Sequence, residues 1–212
     1  MINTNGYVIP DGWKILKVKD VISNICTGLN PRNNFKLGSG NIKYITVKNL
    51  TTKGTLDFTG CDTIDESAHA IIHNRSDIKI GDILFASIAP LGRCYLIQSE
   101  PTDWDINESV FSIRPNYSVM TSAYLYLYFM SDSFIKYATS SSTGSIFKGI
   151  RINTLLDTVL CVPPMSVIKQ FEDRLTSTLP LKAKNDEEIR SLTNLRDWLL
   201  PMLMNSQTAI ED

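Results

Sequence analysis

LKAKNDEEIRSLTNLRDWLLPMLMNSQ, residues 181–207, decides how this chain is divided. Leu181, Asn185, Glu188, Leu192, Leu195, Leu199 and Met202 follow one another at alternating steps of four and three, the period of a seam between two α-helices. A seam needs a partner helix. Asn185 and Glu188 are polar, which makes the pairing either weak or specific, and they suit a role in setting register and antiparallel orientation. Working outward, Pro163-Pro164 opens the tail, and a helical pattern runs through Gln170, Phe171, Arg174 and Leu175 to a second break at Pro180. Pro180 and Pro201 each remove a helical hydrogen bond, so the straight helix is expected over Leu181 to Leu200, about 30 Å. Residues 1–162 then read as a globular mixed α/β body and 163–212 as a helical, coiled-coil arm. The fold class is α+β.

A chain of 212 residues with 43% apolar content fits one sizeable domain with an appendage. It holds no run of eighteen apolar residues, and its first ten residues lack the layout of a signal peptide, so a cytoplasmic location without a membrane partner is expected. Cys26, Cys61, Cys94 and Cys161 are spread singly, which suits buried thiols better than a disulfide or zinc framework.

Net charge is only −1, but its distribution is uneven. Between Asp20 and Asp57 there is no acid, while Arg32, Lys36, Lys43, Lys48 and Lys53 are basic. Arg93 is the only charge between Asp82 and Glu100, and Lys136, Lys148 and Arg151 are the only charges between Asp132 and Asp157. These windows fit a cationic face for phosphates or chance clustering on a solvated surface.

The body offers a strand running into a short helix over 12–26, then the polar loop Leu29-Asn30-Pro31-Arg32-Asn33-Asn34-Phe35-Lys36. Asn and Arg are the side chains that contact adenine and guanine edges in pairs of hydrogen bonds, and they are also ordinary turn residues. Strands are expected over 42–47, 56–58, 83–88, 94–98, 104–114 and 155–162, and helices over 65–73 and from Ser122 through Tyr137. The aromatics of that last helix read as core rather than as a base-stacking platform. The hydroxyl-rich run Thr139 to Ser145, followed by Lys148 and Arg151, would let hydroxyls, backbone amides and cations approach phosphate.

Chemistry of the chain's own finds little support. His69 and His73 stand at i and i+4, a metal-ligand spacing, but Ala70 occupies the place of the glutamate in H-E-x-x-H, so a partly exposed helix face is expected and no metal. Asn30-Pro31-Arg32 does not supply the Asp/Asn-Pro-Pro-aromatic motif of an adenine methyltransferase. Gly38-x-Gly40 lacks the third glycine of a cofactor loop.

Several landmarks together resemble the specificity subunits of type I restriction-modification enzymes over nearly the whole chain. They are Gly12-Trp13, Thr27-Gly28 with Pro31, Gly81-Asp82-Ile83-Leu84, Thr143-Gly144-Ser145, Pro163-Pro164 followed by Gln170, and Leu195-Arg196-Asp197-Trp198-Leu199-Leu200-Pro201. The resemblance implies a non-catalytic subunit whose target recognition domain, residues 1–162, reads double-stranded DNA. Residues 163–212 would form a helical region that docks modification subunits and, through them, the restriction subunit. S-adenosylmethionine, Mg2+ and ATP are expected only on those partners. Phosphate contacts are expected from Lys36, Lys48, Ser145, Lys148 and Arg151, and base contacts from Asn30, Arg32, Asn33, Asn34 and Arg93. The interface set is Leu181, Asn185, Glu188, Leu192, Leu195, Leu199 and Met202.

Typical family members carry two recognition domains and two helical regions packed antiparallel. One of each here implies either a half-length subunit that dimerises or a piece of a longer protein, and Met1 favours the former. A helix over Leu181 to Gln207, about 40 Å long, would separate two domains by about twelve base pairs, so an antiparallel homodimer would read an interrupted palindrome. The alternative is a coiled-coil adaptor that binds protein and has no DNA specificity.

Overall fold

A short hairpin of β1 (Ile2–Thr4) and β2 (Tyr7–Ile9), not anticipated from the sequence, precedes the body. The apolar residues of the next stretch then serve β3 (Lys14–Lys17), the single turn α1 (Val18–Val21) and β4 (Ile22–Thr27). These coordinates are a computed structural model that describes residues 2–4, 7–141, 149–176 and 178–204. They divide into two compact units, Met1–Glu172 and Asp173–Asp212.

In the first unit β5 (Ile42–Ile45) pairs antiparallel with β6 (Asp62–Ile64). The 56–58 segment makes only an isolated bridge, Leu50 to Leu56. Helix α2 (Glu66–Ser76) begins where the Asp65 side chain accepts the N–H of Ala68 at 2.9 Å, which satisfies one of the amides that a helix start leaves open. Then come β7 (Ile83–Ala86) and β8 (Cys94–Leu96). The expected 104–114 strand is two, β9 (Trp104–Ile106) and β10 (Val110–Pro115), because the turn Asn107–Ser109 carries the chain from one sheet to another. Sheet order is β6-β5-β9 in one and β4-β10-β7-β8 in the other.

The expected single helix from Ser122 is also two, α3 (Ser122–Met130) and α4 (Asp132–Ser140). Ser131 makes the break. Its extended backbone ends α3, its N–H donates to Tyr128 O, and its Oγ accepts the N–H of Phe134 at 3.3 Å to start α4. Ser131→Ala should cost about 1 kcal/mol, read as a lower urea midpoint at unchanged slope. Tyr124 and Tyr128 are half-buried and Tyr137 is exposed, whereas the phenylalanines go to the core, Phe129 and Phe134 being buried with ring centroids 5.6 and 5.8 Å from that of Phe85 in β7. Each such side chain contributes about 1.5–3 kcal/mol of apolar burial.

Leu155 does not begin a strand as expected. It lies in the short helix α5 (Ile152–Leu156), where Thr158 Oγ1 donates back to Thr154 O, and only β11 (Val159–Val162) is extended, paired with β3. Tyr124 and Tyr128 of α3 donate to the carbonyls of Cys161 and Val159 in that strand. Pro163-Pro164 then leads into α6 (Met165–Leu175), whose Ile168 is buried and whose Phe171 meets Tyr124 edge-on at 5.8 Å. All four cysteines are free; Cys94 is fully buried, and Cys26, Cys61 and Cys161 are half-buried.

The second unit is built on α7 (Thr178–Met204), 27 residues and about 40 Å of helix. Pro180 does not break it. The residue lies in the first turn, where the N–H that proline lacks would have no helical partner. Pro201 sits in the last turn, where a fixed φ near −65° continues the helix at the loss of one hydrogen bond. Among the described residues no helix is long and apolar enough to cross a membrane.

Candidate nucleic-acid interface

Strand directions gather the loops of the body at one edge. β10 is antiparallel to both β4 and β7, with Phe111 opposite Thr27 and Val110 opposite Ala86, so the ends of β4 and β7 lie beside the start of β10. β5 and β9 are parallel and finish together at Ile45 and Ile106, and the N–H of Asn107 donates to Ile45 O at 2.8 Å. The carbonyl of Asn107 accepts from Gly28, and the carbonyl of Ser109 accepts from both the N–H and the Oγ of Ser87. The Asn107–Ser109 turn therefore joins the exits of four strands.

Gly28 shows how tight this junction is. A Cβ at this position would lie 1.6 Å from Ile106 O, so only glycine lets β4 leave past β9. Beyond it the chain turns at Asn30–Asn34. The N–H groups of Asn34 and Phe35 both donate to Pro31 O, and Asn34 Nδ2 closes onto Asn30 O at 2.9 Å. Leu29 and Phe35 anchor the turn by packing on the cluster of Ile42, Tyr44, Ile64, Ala68 and Ile72. With those two held inward, Arg32, Asn33, Asn34 and Lys36 are exposed and Asn30 is half-buried.

Lys48 is exposed in the turn after β5. The buried Asn49 side chain shapes that turn, accepting from Thr46 N at 2.8 Å and donating to Asp57 O at 2.9 Å. Arg93, in the β7–β8 loop, is half-buried and donates to Val47 O at 3.2 Å, so it ties two loops together. Gly149 bridges to Ile88, and Ile150 N–H donates to Ser87 O, which brings exposed Arg151 to the same loop. Ser145 and Lys148 lie outside the described residues.

The fold thus brings Lys48, Arg93 and Arg151 to one edge and roots the 30–34 turn there through Gly28. Lys36 leads away from the turn to Gly38, which donates to Thr63 O of β6, opposite Lys43. Sequence reading missed Arg75, which reaches Thr27 O and Oγ1 at 3.3 and 3.4 Å from the last turn of α2 and adds a cation at the end of β4. Its 48-residue separation from Thr27 left no local signal. Glu108 is the acid in the central turn, exposed there.

Beside α2 lies a second constellation. Asp105 of β9 is fully buried, and its carboxylate faces both helix histidines: Oδ2 is 2.7 Å from His69 Nδ1 and 4.0 Å from His73 Nδ1. The other oxygen, Oδ1, accepts from Ser76 Oγ at 3.1 Å. Burial pushes the Asp105 carboxyl above its ordinary pKa, and His69, Ser76 and His73 oppose the shift. Sequence reading singled out the histidines but not Asp105. The available signal was a lone acid between Trp104 and Ile106 in an apolar strand.

On the seam helix, Leu181, Asn185, Glu188, Leu192 and Leu195 are exposed, and Leu199 and Met202 are half-buried. Trp198 and Ile189 flank them and are also exposed.

The fold and the sequence match known proteins. The chain is 22% identical over 200 residues to the type I restriction enzyme HindI specificity subunit of Haemophilus influenzae, covering 94% of this chain and 42% of that protein. It is 27% identical over 203 residues to the type I restriction enzyme MjaIX specificity subunit of Methanocaldococcus jannaschii, covering 91% and 45%. The crystal structure of the S subunit of a type I restriction-modification system from M. genitalium shares the fold, with a TM-score of 0.59 at 13% identity over 88% of this chain and 43% of that one. The chain thus spans less than half the length of the relatives it matches. Residues 10–190 fit the family described as the type I restriction modification DNA specificity domain, and with most of its length inside that match the chain belongs to this family.

Proposed function

We propose that this chain is a DNA-recognition subunit of a type I restriction-modification complex, with one target recognition domain (residues 1–162) and one helical region (163–212). The observation that carries the reading is the convergence of loops from four strand ends at one edge, with Lys48, Arg75, Arg93 and Arg151 on them. Lys36, Lys48, Ser145, Lys148 and Arg151 contact phosphate, and Asn30, Arg32, Asn33 and Asn34 read base edges. Arg93 holds the Val47 loop in place beside them. The chain catalyses nothing; modification subunits carrying S-adenosylmethionine methylate adenine, and restriction subunits use ATP and Mg2+. The apolar stripe of α7 pairs antiparallel with a second copy, so that two domains read the halves of an interrupted palindrome.

Co-purification with modification subunits followed by mapping of methylated adenines gives partner and target together. With the target known, Lys48→Ala and Arg151→Ala should each weaken binding to all duplexes and lower the salt-dependence slope by about one. Arg32→Ala should relax selection at one base pair by about 1–3 kcal/mol. If all three variants bind target and random duplex as the parent does, this edge is not the DNA-binding face. Salt-dependent shifts absent altogether would favour the protein-binding adaptor.

A further inference from the structure

Among the described residues five buried side-chain polar atoms make no hydrogen bond, and three of them are His69 Nδ1, His73 Nδ1 and Asp105 Oδ2. A buried unpaired polar atom costs about 1–3 kcal/mol, so three in one place call for a partner they share. His69 Nδ1 stands 2.7 Å from Asp105 Oδ2, a spacing at which a shared proton or a shared cation can join the two, and a proton there would still leave His73 Nδ1, 4.0 Å away, without a partner. The two rings are 5.4 Å apart and tilted by 42°, placing both Nδ1 atoms on the Asp105 side.

We propose that His69 Nδ1, His73 Nδ1 and Asp105 Oδ2 bind a divalent transition-metal ion of the zinc class, clamping α2 to β9. One ligand atom from each of the three residues lies within 4.8 Å of those of the other two. Zinc bound by two imidazoles and a carboxylate at about 2.0–2.2 Å sets its ligands about 3.3 Å apart, between the 2.7 and 4.0 Å found here. Nitrogen donors select zinc, cobalt or nickel over magnesium and calcium, which take oxygen. The surroundings also suit a metal. Ser76 Oγ holds the free oxygen of Asp105, the outer hydrogen bond that orients a ligating carboxylate.

The i and i+4 spacing puts both imidazoles on one helix face, and the buried carboxylate comes from a strand fixed by its parallel partner β5. A cavity of about 560 Å³ with His69, His73, Glu100 and Thr102 on its wall lies against the two histidines. Lys79 also lines the cavity, but Asp77 holds its ammonium at 3.0 Å. The metal site rests on its own geometry and not on the proposed DNA contacts. It secures the helix that ends in Arg75.

The full chain, dialysed against chelator and then titrated with Co2+, should take up one equivalent, develop visible d–d absorption and unfold at a higher temperature with Zn2+ than without. His69→Ala and His73→Ala should each weaken Co2+ binding by at least ~100-fold while circular dichroism stays that of the parent. His73→Cys should restore binding and add a thiolate-to-cobalt charge-transfer band, a signal no structural role of this residue would produce. Uptake of no metal at micromolar Co2+ would overturn the proposal. So would equal affinity in the parent and both alanine variants, or a cysteine variant without the new band.

Discussion

Asp82→Asn lowers the stability of the first unit by about 3 kcal/mol, measured as a fall in urea midpoint. Asp82 sits in the Gly81-Asp82 turn and is 1% exposed. It accepts from the N–H of Lys79 at 2.9 Å, from Arg114 Nε and Nη2 at 2.8 Å each, and from Ser112 Oγ at 3.3 Å. These partners come from the turn itself and from β10, so one carboxylate holds the start of β7 against its neighbour strand. The hydrogen bonds from Asp82 raise the pKa of Arg114, and without them the guanidinium still keeps its charge, because arginine is not deprotonated in proteins at ordinary pH. Asparagine preserves the shape but replaces one acceptor oxygen and the charge with an N–H2 aimed at donors, leaving Arg114 to rely on the Asp77 carboxylate at 3.1 Å and the Asp77 carbonyl. Removing one partner of a buried pair costs more than removing both. The double variant Asp82→Asn, Arg114→Leu should therefore recover part of the loss. A loss under about 1 kcal/mol in Asp82→Asn would show that the pair is not what holds the strands.

Leu192→Asp, alone or with Leu195→Asp, raises the dissociation constant of the proposed homodimer at least ~100-fold, equivalent to about 2.7 kcal/mol. Both leucines are half exposed or more, at 58% and 50%, and they share a stripe with Leu181, Leu199 and Met202 along a 27-residue helix. An exposed apolar row of that length is unusual on a helix with no partner. Two-fold pairing places each substitution in the interface twice, so one aspartate per chain becomes two buried charges per dimer. Sedimentation at micromolar concentration should show the parent as a dimer and the variant as a monomer, with unchanged circular dichroism. Asn194→Asp, on the far side of the helix, should remain dimeric. A parent that sediments as a monomer would remove the two-fold reading.

Local signals carried well wherever a short-range pattern had one physical cause. The long helix α7, the helix that starts at Asp65, the Gly81-Asp82 turn and the core positions of Phe129 and Phe134 all follow from spacing and side-chain type. Reading failed where one residue redirects an otherwise continuous pattern. Apolar alternation runs through Trp104 to Arg114, and only the tertiary bonds of Asn107 and Ser109 split it between two sheets. Helical periodicity runs through Ser131, whose hydroxyl is equally at home inside a helix or at its end. Proline interrupts a helix only beyond its first turn, and Pro180 falls in the turn where it is tolerated. Arg75 and Asp105 were invisible because their importance lies in partners 48 and 29 residues away.

The junction at Asn107–Ser109 has a consequence for how this domain changes over time. Its bonds to Ile45, Gly28 and Ser87 are made almost wholly by backbone groups, so they constrain paths rather than side chains. The turns that leave it at 30–34, 47–48 and 88–93 can be lengthened, shortened or exchanged while the two sheets keep their registers. New binding preferences become reachable by grafting single loops onto an unaltered frame. A library confined to those three turns would explore recognition with little risk to folding.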